Sequence, residues 1–160
     1  MLKVPYFKQD TDYTCGPTAL QMVLAFYGIR ISEEKLAKLL ETNEDVGTRH
    51  KAMIDFAREE GCHVYVNTCS TLEEIKKFLE EEKPVIVHFI EPDGNVGHYS
   101  VVVYMDDENI VLHDPWNGEG FQMVLRDFEN RWYDGNLNSE KWIMVLSCED
   151  FNLGRQYLPN

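Results

Sequence analysis

The chain has 160 residues, of which 44% are hydrophobic and 27% are charged, which is the composition of a globular protein and not of a disordered or fibrous one. Asp and Glu outnumber Lys and Arg by 28 to 15, which gives a net charge of −13. Such a charge repels phosphate backbones and anionic membranes, so nucleic acid is excluded as an expected partner. The length predicts a single domain over residues 1–160.

No apolar run approaches the roughly 20 residues that span a bilayer, and the first residues lack the apolar core of a signal peptide. The sequence therefore predicts a cytoplasmic chain without a membrane segment. The cysteines form no Cys-x-x-Cys pair, so the usual zinc signature of paired thiolates is absent, and neither a metal nor a cofactor is expected. In a reducing compartment we expect four free thiols, at Cys15, Cys62, Cys69 and Cys148.

The first half of the chain has the apolar spacing and the capping residues of helices. Gly28 and Gly61 are the expected stops of the first and the third helix. A short alternating stretch at 62–67 predicts a strand between the third and the fourth helix. The predicted helices lie at 19–27, 32–40, 47–61 and 71–79.

After Pro84 the pattern changes from helices to strands. Helices first and a sheet later predict an α+β fold whose strands are mainly antiparallel. A short helix is expected around 127–133. The predicted strands lie at 85–90, 98–105, 109–113, 121–125 and 142–147.

Cys15 lies directly before the first helix, in the motif Thr14-Cys15-Gly16-Pro17-Thr18. Proline is favoured in the first turn of a helix, which places Cys15 at the helix entrance. The unpaired N–H groups and the helix dipole stabilise a thiolate there, and the thiolate is the nucleophilic form. The alternative interpretation is a small buried residue at a helix start.

A cysteine nucleophile needs a base and a group that orients the base. His98 begins a strand and Asp114 ends the next one, so antiparallel pairing makes them neighbours. They share a face only if the connection has an odd length or a β-bulge intervenes, because a one-residue slip sends them to opposite faces. Asp114 would then hold one His98 nitrogen and leave the other facing Cys15; a turn aspartate before proline is the alternative.

Two further polar features have weaker support. Gln9 precedes Cys15 by six residues, and its amide is a candidate donor to a developing oxyanion, with an exposed loop residue as the alternative. His113 and Asp114 are adjacent, so their side chains point to opposite faces of a strand. This placement disfavours a metal site made of His98, His113 and Asp114.

Three motifs together resemble the bacteriocin-processing, double-glycine-leader cysteine peptidases and their stand-alone relatives. They are the segments 4–9 and 13–28 around Cys15, the segment 97–103 around His98, and the segment 110–116 around Asp114. The resemblance covers about residues 3–146. It implies a papain-like fold, in which a helical half carries the nucleophile and an antiparallel sheet carries the histidine and the aspartate.

The resemblance implies that Cys15 is the nucleophile, His98 the general base and acid, Asp114 the orienting residue and Gln9 the oxyanion donor. The members that define the family are fused to a transporter with an ATPase domain, whereas this sequence resembles the stand-alone branch, so ATP use and export coupling are not expected. We expect a cysteine peptidase that acts on a peptide or protein substrate without a cofactor. An acyl-transferase or amidase on the same fold and a non-catalytic peptide-binding module are the alternatives.

The loops expected to line the cleft are acidic. Together with the net charge, they predict a negative rim that favours neutral or basic peptides, with a purely solubilising surface as the alternative. The acidic residues of these loops are Asp45, Glu91, Asp93 and Glu119.

Overall fold

The computed structural model of the chain describes residues 1–133 and 140–151. Within these ranges helices dominate the first half and strands the second half, as the sequence predicted. The helices are α1 (Cys15–Phe26), α2 (Glu33–Leu39), α3 (His50–Glu59), α4 (Leu72–Glu80) and α5 (Leu125–Arg131). The strands are β1 (His63–Asn67), β2 (Val85–Ile90), β3 (Gly97–Met105), β4 (Asn109–Asp114), β5 (Gly118–Val124) and β6 (Ile143–Ser147).

The six strands form one sheet in the order β1-β6-β2-β3-β4-β5, and every neighbouring pair is antiparallel. β2, β3, β4 and β5 follow one another as a meander, so each pairs with the next strand along the chain. β1 belongs to the helical half of the sequence, yet it joins the sheet at one edge through β6. The fold is therefore α+β, as predicted, with one strand contributed by the helical half.

Helices cover both faces of this sheet. One core joins α1, α2 and α3 to residues such as Val101 and Met144 on one face. A second core joins α4 and α5 to residues such as Val87 and Ile110 on the other face. Because apolar side chains are buried on both faces, β2 consists of a continuous apolar run interrupted only by His88.

Local sequence signals explain several helix ends. The Ser32 side chain accepts a hydrogen bond from the Lys35 N–H and caps α2, and Thr71 caps α4 in the same way through Glu74. Gly28 follows α1 with a φ of 84°, a left-handed conformation that glycine adopts without strain.

Several boundaries differ from the prediction, among them the start of α1 at Cys15 and not at 19, and two of the differences have a clear local cause. α3 begins at His50 and not at 47, because Asn43 and Gly47 exchange backbone hydrogen bonds in a tight turn, and Gly47 has a φ of 67°. β5 begins at Gly118, three residues before the predicted start at 121, because Gly118 pairs with Asp114 across a shift in register. Glycine has a low strand propensity, which hid this part of the strand in the sequence.

Among the described residues, no helix has the length and apolar character needed to cross a bilayer. The cytoplasmic location and the single domain over residues 1–160 stay predictions of the sequence. Residues 134–139 and 152–160, which that domain includes, lie outside the described part of the chain.

Candidate active site

The entrance of α1 holds Cys15 in a half-buried position. Thr14 precedes it, but the Thr14 hydroxyl is engaged with Thr11 and makes no capping bond to the helix. The N–H groups of the first turn therefore have no side-chain cap, which leaves the positive end of the helix beside the Cys15 sulfur.

A close packing contact fixes this first turn. A Cβ atom at position 16 would lie 2.6 Å from Oγ1 of Thr48, which is in the loop that follows α2. Only glycine therefore fits at this position, next to Cys15. Thr48 is buried and its hydroxyl is hydrogen-bonded to that of Thr42 at 2.7 Å. The segment 42–48 is thereby held against the residue next to the cysteine.

A β-bulge brings His98 and Asp114 to one face of the sheet. Near the turn, β3 and β4 pair Tyr104 with Val111, but past the bulge they pair Val102 with Leu112. The shift by one residue at Val103 places Asp114 opposite Ser100, which shares a face with His98. The alternation of side chains along a strand requires an odd-length connection or a bulge here, and the structure has the bulge.

The two side chains form a buried hydrogen bond. His98 Nε2 donates to Asp114 Oδ1 at 2.8 Å, and both side chains are at most 5% exposed. Oδ1 of Asp114 also accepts the backbone N–H groups of Trp116 at 2.9 Å and Asn117 at 2.8 Å. The turn after β4 thus wraps around the carboxylate and fixes its orientation.

These contacts decide the charge of Asp114. Burial raises the pKa of this carboxyl group, but the hydrogen bond and the positive charge of His98 and the N–H groups of Asn117 and Trp116 outweigh burial. The pKa of Asp114 therefore lies below its ordinary value, and the residue is a carboxylate at neutral pH.

The other side of the His98 ring reaches the cysteine. Burial alone would lower the pKa of His98, but the charge of Cys15 and the hydrogen bonds to Asp114 and Cys15 raise it to about 10. Nε2 is occupied by Asp114, so Nδ1 is the ring nitrogen left for the Cys15 sulfur. An imidazolium beside the sulfur stabilises a thiolate.

Gln9 lies where the N-terminal segment meets the turn after Asp114. It is buried, so the alternative of an exposed loop residue is wrong. Its backbone N–H donates to Pro115 O at 3.0 Å, and its side-chain Nε2 donates to Thr11 O at 2.6 Å. Tyr6 adds a second link, because its hydroxyl donates to Asp114 O at 2.9 Å.

Glu33 is a site residue that sequence reasoning missed. Its place in the first turn of α2 suits any acidic residue, but the structure buries its side chain. Its carboxylate accepts the Asp10 N–H at 2.9 Å and the Thr18 hydroxyl at 2.8 Å. Glu33 thus ties the loop between Gln9 and Cys15 to helix α1.

The loop between β2 and β3 corrects one sequence expectation. Glu91 was expected on the acidic rim, but it is 3% exposed and its carboxylate accepts the N–H groups of Asp93 and Gly94 in its own loop. Asp93 is exposed and accepts the indole N–H of Trp116 at 2.8 Å. Trp116 is itself 44% exposed and lies two residues beyond Asp114.

His113 points away from Asp114, as the alternation of a strand predicts. Its Nδ1 accepts the Gly120 N–H at 3.2 Å, and its ring packs edge-on against Tyr6. Burial lowers its pKa, so it is neutral near pH 7. In residues 1–133 and 140–151, no three His, Cys, Asp or Glu side chains are grouped as metal ligands.

A cysteine at a helix entrance and a histidine–aspartate pair on an antiparallel sheet define the class of papain-like proteins. Residues 1–136 match the model described as the Peptidase_C39 like family, and the chain belongs to that family. The resemblance found in the sequence is therefore confirmed.

Two relatives illustrate the range of the family. The chain is 34% identical over 130 residues to an uncharacterized protein of Methanothermobacter marburgensis. This match covers 81% of this chain and 83% of that protein. The chain is 30% identical over 142 residues to the mesentericin-Y105 transport/processing ATP-binding protein MesD of Leuconostoc mesenteroides. The second match covers 82% of this chain but 19% of MesD.

Solved structures share the fold. The peptidase domain of Streptococcus ComA, a bi-functional ABC transporter, has a TM-score of 0.73 at 21% identity. The match covers 90% of this chain and 98% of the ComA domain. A putative C39-like peptidase from Bacillus anthracis has a TM-score of 0.72 at 19% identity, covering 91% and 94%. A double glycine motif protease from an AMS/PCAT transporter, in complex with the leader peptide, has a TM-score of 0.71 at 22% identity, covering 91% of each chain. The fold is thus that of C39 peptidase domains, as the sequence predicted.

Proposed function

We propose that the chain is a cysteine peptidase that hydrolyses peptide bonds through an acyl-enzyme on Cys15. The observation that carries the proposal is the 2.8 Å hydrogen bond between Asp114 and His98, whose ring lies close enough to Cys15 for the cysteine to raise the pKa of the histidine. A nucleophile, a base in contact with it and a carboxylate that orients the base are the set that acyl transfer requires. A non-catalytic peptide-binding module needs none of these contacts.

In the proposed mechanism, Cys15 Sγ attacks the scissile carbonyl carbon as a thiolate, and the carbonyl π electrons move to oxygen to form a tetrahedral oxyanion. His98 then donates its proton to the leaving amine nitrogen as the C–N bond breaks. A water molecule that loses a proton to His98 attacks the resulting thioester carbonyl. Collapse of this second intermediate releases the carboxylic acid product and restores the Cys15 thiolate beside the His98 imidazolium.

Asp114 and Gln9 have supporting roles in this proposal. Asp114 fixes the His98 ring through Nε2 and offsets the positive charge on the ring in each step. We assign the Gln9 amide and the Cys15 backbone N–H as donors to the oxyanion. One amide hydrogen of Gln9 is used by Thr11 O at 2.6 Å, which orients the amide and leaves its second hydrogen for the substrate.

The proposed substrate class is a peptide or protein that binds in an extended form. One support is that a similar solved structure is a complex of a double glycine motif protease with a leader peptide. A second support is Trp116, whose exposed ring lies two residues from Asp114 and offers an apolar surface at the site.

The experiment that tests the proposal incubates the protein with a diverse peptide library that includes double-glycine sequences, and identifies the products by mass spectrometry. In water enriched in ¹⁸O, hydrolysis places one heavy oxygen in each new carboxyl group. We expect cleavage by the wild type and by Cys69→Ala, a matched change at an exposed cysteine, and none by Cys15→Ala.

Cleavage that survives in Cys15→Ala would overturn the nucleophile assignment. An added amine nucleophile separates hydrolysis from transfer, because a transferase joins the acyl group to the amine in preference to water. Products that carry the amine and no ¹⁸O would replace the peptidase assignment with the transferase alternative.

A further inference from the structure

Two of the four cysteines lie opposite each other at the end of the β1–β6 ladder. The register runs from Asn67 opposite Ile143 to His63 opposite Ser147 without a shift. One step further, the same register sets Cys62 opposite Cys148. Both cysteines are free thiols in the structure, with Cys62 buried and Cys148 exposed.

The antiparallel ladder brings facing residues close together. Facing pairs alternate between those that exchange both backbone bonds, with Cα atoms about 5.5 Å apart, and those that exchange none, with Cα atoms about 4.5 Å apart. The Cys62 N–H donates to Ala57 O at 3.0 Å, so it is not used across the ladder.

Both of these Cα spacings lie within the roughly 4.4–6.8 Å that a disulfide spans. Side chains at such positions also point to the same face of the sheet. A disulfide between Cys62 and Cys148 thus requires no change in the register of the strands.

Packing on this face supports the same proximity. Cys62 belongs to the core beneath α1 and α3, which also contains Leu146, two residues before Cys148. Burial raises the pKa of the Cys62 thiol, and the neighbouring Cys148 thiolate raises it further. Burial and the same two sulfurs raise the pKa of Tyr27. The two thiols and the Tyr27 hydroxyl therefore form one cluster.

We propose that Cys62 and Cys148 form a reversible disulfide by exchange with a low-molecular-weight disulfide such as oxidised glutathione. The exposed Cys148 thiolate attacks one glutathione sulfur, which breaks the S–S bond and releases a glutathione thiolate that takes up a proton. Cys62 loses its proton, attacks the Cys148 sulfur of the mixed disulfide and displaces the second glutathione. Two protein thiols are oxidised, and one glutathione disulfide is reduced to two glutathione molecules.

The link joins the segment between α3 and β1 to the residue after β6. It closes a long loop of the chain, so it stabilises the folded state by restricting the unfolded one. His98 and Asp114 lie on β3 and β4, which are separated from β1 by β6 and β2. The disulfide is therefore expected to change stability and not turnover, which makes this inference independent of the proposed peptidase activity.

The test uses the double variant Cys15→Ala, Cys69→Ser, which keeps only the two cysteines of the pair. Folded protein is treated with oxidised glutathione and analysed by intact mass and peptide mapping. We expect the loss of the mass of two hydrogen atoms, a Cys62–Cys148 cross-linked peptide, and a Tm higher by about 5–10 °C. Dithiothreitol should restore both the mass and the Tm.

The matched control adds Cys148→Ser at an exposed position, which should abolish the cross-link and the rise in Tm. A stable glutathione adduct on Cys148 with Cys62 still reduced would overturn the proposal. A cross-link whose formation requires prior unfolding in denaturant would overturn it as well, since the strand register brings the two cysteines together in the folded state.

Discussion

Asp114 meets the His98 imidazole only because β3 and β4 change register between them at Val103. Without that shift, the alternation of side chains would send the carboxylate to the opposite face of the sheet. The bulge thus converts two strand residues into a hydrogen-bonded pair. The same carboxylate is closed in by the N–H groups of Trp116 and Asn117, so its orientation does not depend on His98 alone.

The first prediction concerns pH. The charge of Cys15, together with the hydrogen bond and the charge of Asp114, raises the pKa of His98 to about 10, so in the wild type the imidazolium and the activity are lost as the pH rises through that value. Asp114→Asn removes the charge, lowers the pKa of His98 and moves the basic limb of the kcat/KM profile to lower pH. Turnover should also fall by orders of magnitude, because an amide holds the ring less well.

Asp107→Asn is the matched control, since Asp107 lies in the turn before β4 with its side chain 97% exposed. Its profile should coincide with that of the wild type. A basic limb that stays in place in Asp114→Asn would show that Asp114 does not set the ionisation of His98.

The second prediction concerns thiol reactivity. By accessibility alone, the exposed Cys69 and Cys148 should react before the half-buried Cys15. The His98 imidazolium beside Cys15 reverses this order, because the thiolate is the reactive form. Limiting iodoacetamide at neutral pH should label Cys15 first in the wild type but not in His98→Ala, as peptide mapping would report. First labelling of Cys69 or Cys148 in the wild type would contradict the nucleophile assignment.

The third prediction separates Gln9 from the thiolate. Gln9→Ala should lower kcat about 10²–10³-fold, as the loss of one oxyanion donor does. Alkylation of Cys15 should continue at the wild-type rate, because alkylation forms no oxyanion. Gln122→Ala on β5 is the control and should change neither rate. A parallel loss of alkylation in Gln9→Ala would mean that Gln9 shapes the surroundings of the sulfur.

The fourth prediction concerns the buried carboxylate of Glu33. Glu33→Ala removes the carboxylate oxygens that the Asp10 N–H and the Thr18 hydroxyl use, and the hydroxyl keeps its bond to Thr14 O. The Asp10 N–H loses its acceptor, so the free energy of unfolding should fall by about 1–3 kcal/mol. Glu34→Ala, at the exposed neighbouring position, should change it by less than about 0.5 kcal/mol in urea denaturation. Equal effects at the two positions would contradict the role given to Glu33.

The local patterns of the chain were enough to predict most of the helices and strands and the proximity of His98 and Asp114. The bulge was predicted as one of two ways to satisfy the geometry, but its position was not. Val101-Val102-Val103 is uniformly apolar, and no residue in it marks the extra position. Register is set by packing on both faces, which a single strand does not encode.

Glu33 and Glu91 could not be assigned from sequence for a related reason. Two adjacent acids begin α2, and both suit the helix dipole, so local rules treat Glu33 and Glu34 alike. Which of them is buried depends on Asp10 and Thr18, which lie 23 and 15 residues away. The Glu91 carboxylate turns inward and accepts a hydrogen bond from the Gly94 N–H of its own loop, whereas acidic loop residues are ordinarily solvated.

The last prediction concerns the charge of the substrate. With Glu91 buried, the acidic rim reduces to Asp45, Asp93 and Glu119, all of them exposed. The Asp93 carboxylate accepts a hydrogen bond from the indole N–H of Trp116, which lies two residues from Asp114. Of the three acids, Asp93 therefore has the most direct contact with the site. Together with the net charge of −13, it should attract basic peptides and raise their kcat/KM above that of matched acidic peptides.

Salt and substitution separate a local effect of Asp93 from the general charge of the surface. High salt should shrink the basic preference, because exposed charges are screened beyond roughly 10 Å at 0.1 M ionic strength. Asp93→Asn should weaken the preference, whereas Asp107→Asn, in the turn between β3 and β4, should leave it nearly unchanged. Equal losses in the two variants would assign the preference to net charge alone. A preference for acidic peptides, or none at low salt, would contradict a negative rim at the site.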